Sequence, residues 1–190
     1  MSPELQLIAA PAATYARLAR TPSRIGPITA LRRPLLVTLV LGASQALAAT
    51  RHAPPALLLS TTICWSTVVL LQVAIALVMI AGPARRTVGL PRALDLFFAA
   101  HAPWSLWMLA AVAWAPLPGE RSVTPLLVAV LFVIGLTARM IVAFFREVLH
   151  LESRAALARM VTHQAITWGT FAALFGSAVA IVPRILQWLE

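Results

Sequence analysis

The chain has 190 residues, 61% of them hydrophobic and only 11% charged, with a mean hydropathy of +0.88. Soluble domains carry about a quarter charged residues, so these figures exclude an ordinary soluble enzyme and indicate a single membrane domain. The formal charge of +9 comes from arginine alone, without lysine. These arginines lie between apolar runs rather than along one helix face, which argues for topology and a GC-rich genome and against a nucleic-acid surface.

Residues 1–34 form a basic segment expected on the cytoplasmic side. Leu5, Leu7, Ile8, Tyr15, Leu18 and Ile25 alternate there with Arg17, Arg20 and Arg24. The pattern fits a short amphipathic helix on the inner leaflet, and equally a loosely ordered tail that supplies charge for orientation. Five arginines precede the first long apolar stretch, a poor match to a cleavable signal, so the first span is expected to stay in the mature protein.

Residues 35–190 then hold five apolar stretches, at 35–50, 55–82, 94–117, 125–145 and 160–182. The first is short for a bilayer core that needs about 20 helical residues. It is expected to borrow residues from its flanks or to pair with the second stretch as a hairpin, through the turn Arg51-His52-Ala53-Pro54. The connectors AGPARRTVGLPRA, APLPGERSVTP and FREVLHLESRAALAR are rich in proline or arginine, and Ser122 and Thr124 offer caps for the fourth stretch.

Eleven arginines precede span one or lie between spans two and three or four and five; Arg51, Arg121 and Arg184 fall on the opposite side, and Arg139 lies inside span four. Such a bias predicts an odd number of spans with arginine-rich loops in the cytoplasm. The expected fold is therefore an all-α, polytopic transmembrane bundle of about five spans, N-terminus cytoplasmic and C-terminus outside. Composition and compact size favour a bacterial inner membrane.

Ionisable groups inside hydrocarbon are costly and need partners. Counting 1.5 Å per residue from the inner surface puts Arg139 about 9 Å deep and His101 about 10 Å from the mouth of span three, where Asp95 sits. His163 lies three residues into span five. Asp95, His101, Arg139 and His163 thus form a candidate buried polar cluster in the cytoplasmic half. One reading is a site for an anion, an anionic lipid or a proton relay. In the other, Arg139 pairs with Asp95 or snorkels, and the histidines bond main-chain carbonyls.

No cofactor is predicted. His101 and His163 are the one histidine pair positioned for haem, and their axial match is poor because one lies deep and the other near the surface. Cys64 is the only cysteine, so one chain builds neither a disulfide nor a cysteine metal site. The sequence lacks GxxxxGK[ST], HExxH and GxSxG motifs, which argues against an enzyme. Gly42, Ala43, Ser44 and Ala46 in span one, and Gly169, Ala172, Ala173 and Gly176 in span five, allow close helix approach.

PAATYARLARTP before span one, GLPRALDLFFAAHAPWSLWML opening span three and LFVIGLTARMIVAFFREVLHLESRAALARMV bridging spans four and five form an ordered pattern, with Pro103, Gly135 and Ala155-Ala156 at its marker positions. In this pattern the chain resembles the Yip family of five-span membrane proteins and its bacterial relatives. The resemblance implies a five-helix membrane domain without an established enzymatic role; eukaryotic members are linked with small GTPases and vesicle traffic. It carries over no functional residues.

The function expected first is a non-catalytic membrane scaffold or accessory subunit, whose partners are membrane lipids and other membrane-protein subunits or itself, and not nucleic acid. Two alternatives stand beside it: a small transporter or lipid-handling protein with an anion site around Arg139, and a haem- or pigment-binding subunit of a redox or photosynthetic membrane complex.

Overall fold

The computed structural model describes residues 3–21, 25–50, 54–114 and 124–189. The expected turn at Arg51-His52, the end of the third stretch at Leu117 and the Ser122 cap lie outside the described residues. Among those described, every regular element is an α-helix.

The N-terminal segment forms two helices, α1 (Pro3–Ala9) and α2 (Pro11–Arg20). Proline at the first position of α2 costs no helical hydrogen bond, and Ala10 before it is non-helical, which sets the bend between them. Leu7, Pro11, Thr14 and Tyr15 are buried, and this face rests on the later helix α8 (Thr124–Glu147). The amphipathic helix of the sequence reading is thus present as two pieces, and its buried face covers protein.

A short turn of helix, α3 (Pro27–Ala30), leads to α4 (Arg32–Thr50). By taking in Arg32, Arg33 and Pro34, α4 reaches 19 residues, or about 28 Å, close to the thickness of a bilayer core. It pairs with α5 (Pro55–Arg86) as an antiparallel hairpin. Gly42 is a point of close approach: a side-chain carbon there would lie 2.5 Å from Thr62 Oγ1 and 2.8 Å from Thr62 Cα. Thr61 donates to the Gly42 carbonyl at 2.8 Å, and the Trp65 indole donates to Gln45 Oε1 at 2.8 Å, so polar groups join the two helices where lipid offers no partner.

The third apolar stretch is not one helix. It divides into α6 (Leu90–Ala99) and α7 (Ala102–Trp114). Pro103 has no N–H to continue the helical ladder and disfavours helical geometry at the residue before it. The chain responds by tightening: Ala100 and His101 donate to Phe97 and Phe98, three residues back, at 3.0 and 3.1 Å. Such a break leaves main-chain groups that need partners away from solvent, and here Ala93 through His101 are all buried.

α8 ends at a connector in which His150 takes left-handed backbone (φ 53°) and the Leu151 N–H closes back on the Phe145 carbonyl at 3.0 Å. α9 (Ser153–Leu189) follows. It is about 55 Å long, more than the roughly 30 Å of a bilayer's hydrocarbon core.

The core gathers around α6. Tyr15, Ile80, Phe97, Met140, Phe144 and Val148 are all fully buried together, with Phe97 and Phe144 in edge contact at 5.6 Å and Tyr15 on Phe144 at 5.9 Å. Away from this core the helices present apolar side chains outward: Leu36, Leu59, Leu70, Val78, Leu131 and Phe132 are all exposed. The spans Pro55–Ala84 and Val128–Glu147 are long and apolar enough to cross a membrane, and only 22% and 39% of their most apolar stretches is buried within the protein. A soluble core helix would be covered; these faces fit acyl chains.

Candidate functional site

The four residues grouped by depth in the sequence separate into three places. Asp95 lies on α6, 2% exposed, and binds arginines other than Arg139. Arg33 from α4 forms an ion pair with its Oδ1 and also donates to its main-chain carbonyl at 3.2 Å. Arg92 reaches Oδ2 at 3.3 Å across one helical turn, and Arg32 stands at 3.8 Å. Arg92 also donates to the Leu18 carbonyl of α2 at 3.2 Å, and the Tyr15 hydroxyl donates to the Leu96 carbonyl at 3.1 Å. One buried carboxylate thereby fastens α2, α4 and α6 to one another.

Arg139 is exposed, and no hydrogen bond or ion pair is described for it. Position along α8 does not fix the direction a side chain faces. At 100° per residue Arg139 points about 200° away from Thr137, and Thr137, Met140, Ile141 and Phe144 are the buried side. The expected pairing of Arg139 with Asp95 is therefore not formed, and Arg139 stands apart from Asp95, His101 and His163.

His101 and His163 are brought together. Their rings meet edge to face at 5.4 Å, and both touch Phe97, at 4.9 and 5.3 Å. His101 Nδ1 donates to the Phe97 carbonyl at 3.1 Å, because a carbonyl can only accept. The depth mismatch expected between the two histidines is absent: the break before α7 lowers His101 to the level of His163. Rings in direct contact leave no gap between them for a macrocycle.

Both histidines line a partly open cavity of about 250 Å³ bounded by α4, α5, α6, α7, α8 and α9. It begins at Arg33 and follows α4 to Leu41, about 12 Å of helix. Trp65, Trp104, Trp107 and Trp168 form much of its wall, with Trp104 against Trp107 at 5.6 Å and against Trp168 at 5.2 Å. Gln72, Gln164 and Thr167 add polar groups.

Four polar atoms on this wall are buried without a hydrogen-bond partner among the described residues: Thr137 Oγ1, His163 Nδ1, Gln164 Nε2 and Thr167 Oγ1. Other hydroxyls on the same wall are satisfied by their own helices, Thr38 on the Pro34 carbonyl at 2.9 Å and Ser105 on the His101 carbonyl at 3.3 Å. The four orphans come only from α8 and α9. Leaving a buried polar group unpaired costs about 1–3 kcal/mol, so their convergence on one cavity is the most chemically loaded feature of the molecule. Among the described residues no three metal-ligating side chains converge.

Comparison of the chain with family models, curated proteins and solved structures gives no match.

The sequence reading missed Arg33, Thr137, Gln164 and Thr167. A signal was present for α9: His163, Gln164 and Thr167 recur at helical spacing, so three polar groups share one face of an apolar span.

Proposed function

We propose that this chain is a non-catalytic, five-span protein of a bacterial inner membrane that holds a small, largely apolar molecule in the cavity between its helices. The spans are α4, α5, the broken pair α6 and α7, α8 and α9, and the arginine partition supports a cytoplasmic N-terminus and an external C-terminus. The single observation that carries the reading is the set of four unpartnered polar atoms on one cavity wall. Membrane ligand sites combine an apolar body with a few convergent polar groups in this way. Mass spectrometry of the organic extract of protein purified in mild detergent tests it. A small molecule retained by wild type and lost from an equally folded Thr137→Phe variant is expected; identical extracts would overturn it.

A second reading, an accessory subunit, rests on α9. Gly169 and Gly176 are exposed, with no atom within 4 Å of where a side chain would start. An open small-residue face suits another helix, from a partner or a second copy. Native mass measurement is expected to show an assembly, and a lone monomer would contradict it.

A further inference from the structure

We infer that the cavity takes the flat, carbonyl-bearing head of a bilayer-soluble quinone. The inference deepens the ligand-holding reading and rests on it.

The hydrogen-bond chemistry of the wall selects the ligand. The Trp168 indole can only donate, and it meets Gln164 Oε1 at 3.1 Å, which leaves the Gln164 amide N–H₂ on this wall as a buried donor without a partner among the described residues. The Thr137 and Thr167 hydroxyls can donate as well, since neither is engaged with the carbonyl of its own helix. A matching ligand presents acceptors, and carbonyl oxygens are the neutral groups that do so without bringing donors of their own.

Charge narrows the class further. Among the described residues Arg33 is the one charged side chain on the cavity wall, and Asp95 already holds it. A ligand with a formal charge would lie beside His101, His163 and the threonines without a counter-ion, a costly arrangement in a buried site. A neutral head is favoured. The chain contains no lysine, so no side-chain amine is present to bind a carbonyl as a Schiff base, and the head is held non-covalently.

Shape completes the assignment. Four indoles and two imidazoles line the space, and aromatic faces favour a flat ring in offset or edge contact. About 250 Å³ is below the range of roughly 300–1,000 Å³ typical of sites that enclose a whole drug-sized ligand. The space suits a ring-sized head, with any isoprenoid tail continuing into the acyl region beyond the apolar outer faces.

Quenching of tryptophan fluorescence in the full-length protein in lipid nanodiscs tests the proposal, with decyl-ubiquinone titrated directly and the affinity of an alkylbenzene of equal tail length read from its displacement of a bound aromatic quencher. The expected result is saturable quenching by the quinone, with affinity at least about tenfold above the alkylbenzene, as one or two good hydrogen bonds would give. The paired substitution Thr137→Val and Gln164→Leu is expected to reduce quinone affinity by a similar factor and leave the alkylbenzene unchanged. Equal affinity for both probes in wild type, which needs no variant, overturns the quinone assignment while sparing the ligand-holding reading. Absence of saturable binding by either probe overturns both.

Discussion

The guanidinium of Arg159, on α9, donates to the main-chain carbonyl of Met79, on α5. The reason lies four residues further along α5. Pro83 sits inside the helix and has no N–H, so the Met79 carbonyl lacks its ordinary helical donor. An arginine from a neighbouring helix fills that role, and a sequence irregularity in one helix becomes a tie between two.

This tie predicts a specific coupling. Arg159→Met is expected to destabilise the protein by about 1–3 kcal/mol, the cost of an unpaired buried carbonyl. In a Pro83→Ala background the restored N–H can bond Met79, and the cost of Arg159→Met is expected to fall below about 1 kcal/mol. A double-mutant cycle of denaturant unfolding in detergent measures the difference.

Gly42 predicts a contrast among glycines. An alanine there meets Thr62 main-chain atoms that cannot swing aside, so Gly42→Ala is expected to cost about 1–3 kcal/mol through overpacking. Gly169→Ala and Gly176→Ala meet nothing within the chain and are expected to be neutral within about 0.5 kcal/mol. Thermal unfolding of the three variants in one detergent decides it.

The three arginines at Asp95 are not equivalent. Asp95→Asn leaves Arg33 and Arg92 without a carboxylate in a buried setting and is expected to cost about 3–5 kcal/mol. Arg32 is the exposed member, at the longest distance, and Arg32→Gln is expected to cost less than about 1 kcal/mol. Because Asp95 also positions the segment that carries the Leu18 carbonyl contact, Asp95→Asn should expose α2 to limited proteolysis.

Tyr15 makes stability sensitive to alkali. Burial raises its phenol above the ordinary value of about 10; Arg33 opposes this and Asp95 adds to it. With the folded pKa above the unfolded one, the contribution is complete below about pH 10 and is lost above it, where only the unfolded chain ionises. Tyr15→Phe is expected to cost about 1 kcal/mol at neutral pH, from the lost bond to Leu96, and to flatten the alkaline limb of the stability profile.

Much of the helical layout was legible because apolar length acts along the chain alone. The five apolar stretches correspond to α4, α5, the α6 and α7 pair, α8 and α9. The break at His101 was encoded locally, by Pro103, yet hydropathy runs straight through it. The docking of α2 on α8 was not legible, since Tyr15 and Phe144 are far apart in sequence and neither predicts the other. At the site, depth counting grouped His101 with His163 while expecting an axial mismatch that the contact of their rings removes, and it misplaced Arg139, because depth fixes height along a helix and not the direction a side chain faces. Thr137 carried no compositional signal: a lone threonine in an apolar span is ordinarily satisfied by its own helix.

A side-chain-resolution density map of the protein in lipid nanodiscs tests the central claim most directly. The account predicts a flat, non-protein feature within hydrogen-bond reach of Gln164 Nε2 and Thr137 Oγ1, lying against Trp104. Helices α8 and α9 closed over that space, with the Thr137 and Thr167 hydroxyls turned onto the carbonyls of Val133 and His163, would contradict it.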